Sequence, residues 1–238
     1  MPDRPYTMLS CSVSLDGYLG DQNPRLALSN EADFDRVDEV RASCDAIMVG
    51  AATVRSDNPR LLVRSPARRE RRVAAGLASS PMKITVTDRV DLDARSNFFT
   101  AGEAEKLVYT SSPQVRAARA RLGPVATIVD GGLRVRMRWL SEDLADRGVE
   151  RLMVEGGGVV HTQFLSDDLV DELQLVVAPF FVGDSRATRF VNDGRFPWNP
   201  TRRATLAEVR QIGDMVLLRY ALSSRFTEAE PAGPCDPR

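Results

Sequence analysis

The chain is poor in the side chains that most often carry covalent or metal chemistry. Among its 238 residues there is one histidine, His161, and there are two lysines, Lys83 and Lys106. A zinc centre draws on clustered Cys and His, and the three cysteines, Cys11, Cys44 and Cys235, are scattered and form no CxxC pair. They are also too few for a disulfide framework. Schiff-base chemistry has only two candidate lysines, neither within a recognisable motif. No apolar run approaches the roughly 18 residues of a membrane span. The polar Met1–Pro5 start precedes no apolar signal core, so a cytoplasmic chain is expected. Excess charge is missing too. Thirty-two Lys+Arg against 33 Asp+Glu leave −1, which removes the simplest electrostatic case for nucleic-acid or anionic-membrane partners. With only two lysines, nearly all the basic residues are arginines, and a local basic pocket stays open.

What is present is an ordinary globular balance, 43% hydrophobic and 27% charged, in a chain long enough to bury a sizeable core. Strand-like and helix-like patterns alternate. Tyr6–Leu15 reads as a strand closed by the turn pair Asp16-Gly17. A helix follows from about Asn30 to Ser43, with Ser29 or Asn30 as N-cap and Phe34, Val37, Val40 and Cys44 near one face. Further strands are predicted at 46–50, 82–86, 106–109, 126–129, 151–154 and 173–178. Helices are predicted at 113–122, with proline at its start, at 135–147 and at 159–165. Thr205–Ile212 and Met215–Leu222 read as a hairpin around Gly213-Asp214. Strand–helix alternation argues for an α/β fold, a mostly parallel sheet with helices on both faces, made mixed by the closing hairpin. One domain over 1–222 is expected, and 223–238, with three prolines and three acidic residues, reads as a disordered tail.

Two segments carry chemistry. Gly156-Gly157-Gly158 lies between a strand and a helix, where free backbone N–H groups and the helix dipole favour an anion. A plain tight βα turn accounts for the triplet equally well. It is not a Rossmann fingerprint, because G-x-G-x-x-G would need glycine where His161 stands. The second segment, 46–64, runs from a buried strand through Gly50-Ala51-Ala52-Thr53 into a polar Ser56-Asp57-Asn58-Pro59 turn flanked by arginines. Small residues at a strand's carboxyl end admit a ligand, whereas a capped turn with surface arginines is the blander reading. Other residues read structurally: Asp16 as a turn former, Cys11 and Cys44 as small core hydrophobes, Asp171-Glu172 as a helix–strand turn. Arg68–Arg72 reads as a solvated face, and His161 as a packed or cofactor-adjacent side chain.

Taken in order, Ser14-Leu15-Asp16-Gly17, Thr53…Asp57-Asn58-Pro59…Leu61…Arg64, Glu155-Gly156-Gly157-Gly158, Leu169-Val170-Asp171-Glu172-Leu173, Ala178-Pro179 and Gly183 resemble the reductase domain of bacterial riboflavin biosynthesis. That domain is the dihydrofolate-reductase-like half of the bifunctional deaminase-reductase, and the resemblance spans about residues 6–222. It implies a three-layer α/β/α fold, a homodimer, NADPH as hydride donor, and a ribosylaminopyrimidinone 5′-phosphate as substrate, its ribosyl group reduced to ribityl. Carried over by position, it assigns cofactor contacts to Ser12, Thr53 and Asp57. It assigns Gly156, Gly157, Gly158, Val159, Val160, His161 and Thr162 to the pyrophosphate loop, and Thr87 and Asp88 to the adenosine side. Arg41, Leu61, Arg64 and Glu155 match substrate contacts, the two arginines on the 5′-phosphate. Asp57 or Glu155 is the expected acid/base group for opening the ribose ring, and the residues do not choose between them. The chain departs from the family at Arg25-Leu26-Ala27, where a Ser-x-Trp-type segment is usual, and in the bulk of Val159–Thr162. A pterin reductase, a catalytically silent NADPH-binding protein, and a stand-alone reductase for another pyrimidine-derived product are the other readings.

Overall fold

The computed structural model describes residues 3–20 and 28–226. The departure at Arg25–Ala27, the tail from residue 227 and Cys235 lie outside the described residues. Nine strands form one sheet: β1 (Tyr6–Ser14), β2 (Ala46–Gly50), β3 (Met82–Val86), β4 (Lys106–Thr110), β5 (Thr127–Asp130), β6 (Arg151–Gly156), β7 (Glu172–Ala178), β8 (Thr205–Ile212) and β9 (Met215–Ala221). Their order is β5-β4-β3-β2-β6-β1-β7-β9-β8. Seven strands run parallel, and the β8–β9 hairpin joins β7 antiparallel. This is the mixed sheet expected from the strand–helix alternation.

Because β1 lies between two parallel neighbours and under helices on both faces, it carries apolar residues toward both sides. Leu9, Cys11 and Val13 face a core with Met137, Leu140 and Leu144 of α6 (Met137–Asp146) and Val160, Phe164 and Leu165 of α7 (Gly158–Ser166). Tyr6 and Met8 face the other core. There they meet α1 (Glu31–Ala42), α2 (Ala51–Asp57), α4 (Asn97–Thr100) and α5 (Val115–Leu122), through Val37, Val54, Phe98 and Leu122 among others. The remaining helix is α3 (Pro66–Ala74).

Several local expectations change. The Asn30 carboxamide oxygen caps α1 by accepting the Asp33 N–H at 2.9 Å. Phe34, however, is 41% exposed, and the residues of α1 that are buried are Asp33 and Asp38. This helix docks largely through hydrogen-bonded charge. The segment read as a polar turn after β2 is the two-turn helix α2, ended by Asn58 in the left-handed conformation (φ 44°). Arg72 is not on a solvated face. It is buried and donates to the carbonyls of Ala42, Cys44 and Ala78. Pro113 sits in a 3₁₀ turn, Ser112–Gln114, that leads into α5. The segment expected to be an unstructured tail begins packed, with the Ser223 hydroxyl and the Arg225 guanidinium both donating to Asp171. No helix among the described residues is long and apolar enough to cross a membrane.

Lys83 is fully buried on β3, and its ammonium donates to the carbonyls of Phe98 and Ala101 at 3.1 and 2.5 Å. Burial, reinforced by the charges of Lys106 and Arg41, pushes its pKa down to about 8. The unfolded chain, with a lysine near 10.4, holds this proton more tightly than the folded one. Stability is therefore expected to rise with pH from about 8 to about 10.4, by about 3 kcal/mol. Urea midpoints at pH 7.5 and 10 test this. Lys83→Met should flatten the difference, and equal slopes in both proteins would refute it.

Candidate active site

The carboxyl ends of β1, β2, β3 and β6 open into a cleft of about 1030 Å³, the edge at which open α/β sheets bind ligands. Of the residues singled out in the sequence, Ser12, Arg41, Thr53, Asp57, Arg64, Thr87, Asp88 and Glu155 line it, as do Gly156, Gly157, Gly158, Val159 and Val160. Leu61, His161 and Thr162 do not line it. Leu61 is 2% exposed in the core. Thr162 donates its hydroxyl to the Gly158 carbonyl at 2.6 Å and accepts the Asn192 N–H. His161 is fully buried, its Nδ1 3.1 Å from the Phe190 carbonyl. Burial pushes its pKa down to about 4, so the ring is neutral at physiological pH and turned toward the loop after β7 rather than the cleft.

The glycine turn is closely built. Gly157 precedes α7, and among the described residues no side chain caps the helix. Its first N–H groups are thus left for an outside acceptor. A Cβ on Gly157 would stand 3.1 Å from the Thr53 hydroxyl, and one on Gly158 only 2.3 Å from the Arg189 carbonyl. Thr53 of α2 thereby lies against the turn. Arg189 belongs to a segment clamped to the β1 turn by Leu19 N–H to Thr188 O and Phe190 N–H to Gly17 O. Asp16 acts structurally, its carboxylate accepting the Ser14 hydroxyl and the Val182 and Gly183 N–H groups.

On the other wall, the expected pair of phosphate-binding arginines divides. Both nitrogens of the Arg41 fork, Nε and Nη2, donate to Glu155 at 2.6 Å, with both side chains 14% exposed. Burial opposes the Arg41 charge, but the charge and hydrogen bonds of Glu155 outweigh it and hold the guanidinium protonated. Arg41 is thus already neutralised. Arg64 has no carboxylate partner among the described residues, and its guanidinium rests 4.9 Å above the Phe34 ring. Asp57 is exposed at the end of α2, and among the described residues it accepts only the Ser56 hydroxyl, at 2.6 Å. Ser12 donates to Asp33 at 3.0 Å, which in turn accepts from Arg36. Thr87 is nearly buried and folds the turn after β3, accepting the Arg89 and Val90 N–H groups.

Sequence reasoning missed Arg36, Arg89, Arg134 and a wall made by Ser185, Ala187, Thr188, Arg189 and Asn192, all of which line the cleft. Arg89 and Arg134 stood among too many other arginines to be singled out, and Ser185–Asn192 carries no local motif. Among the described residues no group of three or more His, Cys, Asp or Glu is placed to hold a metal ion.

The model of the RibD C-terminal domain family matches residues 5–218. The chain is 36% identical over 227 residues to the 2,5-diamino-6-ribosylamino-4(3H)-pyrimidinone 5′-phosphate reductase of Archaeoglobus fulgidus, covering 94% of this chain and 99% of that one. It is 32% identical over 222 residues to the protein of the same name from Methanothermobacter thermautotrophicus, covering 92% and 99%. In structure it is similar to a pyrimidine reductase-like protein of Corynebacterium diphtheriae, with a TM-score of 0.78 at 23% identity over 91% of each chain.

Proposed function

The chain belongs to the RibD C-terminal domain family, and on that premise we propose that it is a riboflavin-pathway reductase. Its substrate class is that named for its archaeal relatives, a ribosylaminopyrimidinone 5′-phosphate whose ribosyl group becomes ribityl. The observation that carries this reading is one cleft holding both an uncapped glycine turn and an unpaired arginine. The first suits a dinucleotide diphosphate and the second a sugar phosphate.

A nicotinamide cofactor, which we take to be NADPH, supplies the hydride when bound. The residues fit it. A Cβ would crowd the Thr53 hydroxyl at Gly157 and collide with the Arg189 carbonyl at Gly158, so this turn packs tightly between α2 and the wall with its uncapped helix start at the cleft. Thr53 borders the turn, and Thr87 and Asp88 line the same cleft. Arg89 and Arg134, both exposed in it, are two arginines available to a 2′-phosphate. Glu155, fixed by Arg41, offers the substrate a rigid acceptor rather than a mobile one. Asp57, with one hydroxyl partner at the rim, is freer to move a proton during ring opening. Homodimerisation belongs to the same reading, supported by exposed Leu206 and Val209 on the edge strand β8. So does a cytoplasmic location.

The test is NADPH oxidation by the purified protein, with freshly generated ribosylaminopyrimidinone phosphate and dihydrofolate in separate reactions. Ribityl product supports the reading. Turnover on dihydrofolate alone moves the assignment to pterin reduction, and binding of NADPH without turnover to a silent sensor. Asp57→Asn and Glu155→Gln should each lower kcat, the one at the proton-transfer residue by about 10²-fold or more. Unchanged turnover in both would remove these carboxylates from the acid/base role.

A further inference from the structure

We propose that Asp38 and Phe34 are positioning residues that aim Arg64 at the substrate's 5′-phosphate, an inference resting on the function proposed above. Phe34, Asp38 and Arg41 are spaced i, i+4, i+7 on α1 and so share one face. Each holds a different part of the 62–65 segment. The Asp38 carboxylate is 4% exposed and accepts the Arg64 N–H at 2.5 Å, the Ser65 N–H at 3.0 Å and Arg68 Nη1 at 3.0 Å. Arg41 Nη1 donates to the Leu62 carbonyl at 3.3 Å. The Phe34 ring, 41% exposed, lies under the Arg64 guanidinium at 4.9 Å.

The chain direction at Arg64 is thus set by a buried carboxylate, and the direction of its side chain by an aromatic face. An arginine on a loop gives up rotamer freedom when it binds an anion. Here part of that freedom is already gone, because cation and ring attract one another. An exposed aromatic ring on a helix that docks through charge has no core role to explain it, and the arginine above it supplies one. The neighbouring Arg41 is neutralised by Glu155, so the phosphate is read by Arg64, and α1 decides how well.

Calorimetric titration with ribose 5-phosphate and with ribose reads the inference without turnover. Wild type should bind the phosphorylated sugar at least about tenfold more tightly. Asp38→Asn, which replaces one of the two accepting oxygens by an NH2 donor facing an N–H group, should weaken ribose 5-phosphate about tenfold. Phe34→Ala should weaken it about three- to fivefold and Phe34→Tyr should restore binding, while NADPH affinity stays within about twofold throughout. In turnover the same variants should raise KM and spare kcat. If Asp38→Asn does not fold, the Phe34 pair, on an exposed ring, carries the test alone. Unchanged ribose 5-phosphate affinity in the folded variants would overturn the proposal. So would an equal loss of NADPH affinity, which marks general damage, or a wild type indifferent to the phosphate. A wild type that binds ribose 5-phosphate in the expected pattern yet reduces no ribosylaminopyrimidinone would support the Arg64 arrangement and refute the reaction.

Discussion

Replacing Asp171 by alanine is expected to cost about 3–5 kcal/mol of stability, by breaking a buried ion pair and leaving charge unmatched. In a chain of this size the melting temperature should fall by roughly 10 °C. Asp171 is fully buried just before β7 and ties three distant parts of the chain. It accepts the Arg4 fork at 2.6 and 2.8 Å, the Thr7 N–H at 2.9 Å and the Ser223 hydroxyl at 2.5 Å. Burial by itself raises a carboxyl pKa. Here the hydrogen bonds from Arg4, Ser223 and Thr7, with the Arg4 charge, outweigh it and hold Asp171 below the ordinary range. Its contribution is therefore complete above the unfolded-state value near pH 4 and is lost as pH falls below it. Thermal melts of both proteins between pH 3 and 7 check the point. The wild type should lose stability more steeply on acidification, and parallel curves would count against the hub.

The largest effect on cofactor binding is expected from Gly158→Ala. The added methyl would stand 2.3 Å from the Arg189 carbonyl, and that neighbour is backbone, held by the pairing of Tyr18 with Arg189 and by the Leu19–Thr188 and Phe190–Gly17 hydrogen bonds. Either the wall moves or the helix start does, and both lie in the cleft. The dissociation constant for NADPH should rise about 100-fold, close to 2.7 kcal/mol, measured by quenching of protein fluorescence or by calorimetry. Gly148→Ala is the matching control. It has open space around the new methyl but positive φ, so it should affect stability alone. A Gly158→Ala protein with native cofactor affinity would remove the glycine turn from the binding site.

The periodicity of apolar residues made the sheet legible, because β1, β2 and β6 are buried on both faces and read as continuous runs. Alternation with helices then left few arrangements. Pairings between charges were not legible. Arg41 and Glu155 are 114 residues apart, and nothing local says that one neutralises the other, so both arginines were assigned to one phosphate. Arg72 sits in an arginine run that looks solvated, and only the fold reveals the carbonyls awaiting it. Helix α2 was hidden by Ser56-Asp57-Asn58-Pro59, residues that favour turns. In this chain they form the last turn and the left-handed stop of a short helix. Asp38 was hidden for the opposite reason: it lies in an acidic helix where every carboxylate looks exposed.

The strand order also sets a timetable for synthesis. Strands β2 to β5 follow one another in both sequence and space, so a nascent chain can assemble that wing as it emerges. The first of the nine described strands, β1, has as its neighbours β6 and β7, which the ribosome delivers more than a hundred residues later. Until then β1 is an apolar segment with two unpaired edges, open to other chains. The cleft follows the same schedule, since Gly156–Gly158 arrives with β6 and the Ser185–Asn192 wall after β7. A transcript truncated before β6 would therefore yield a sticky, siteless fragment rather than a weakened enzyme.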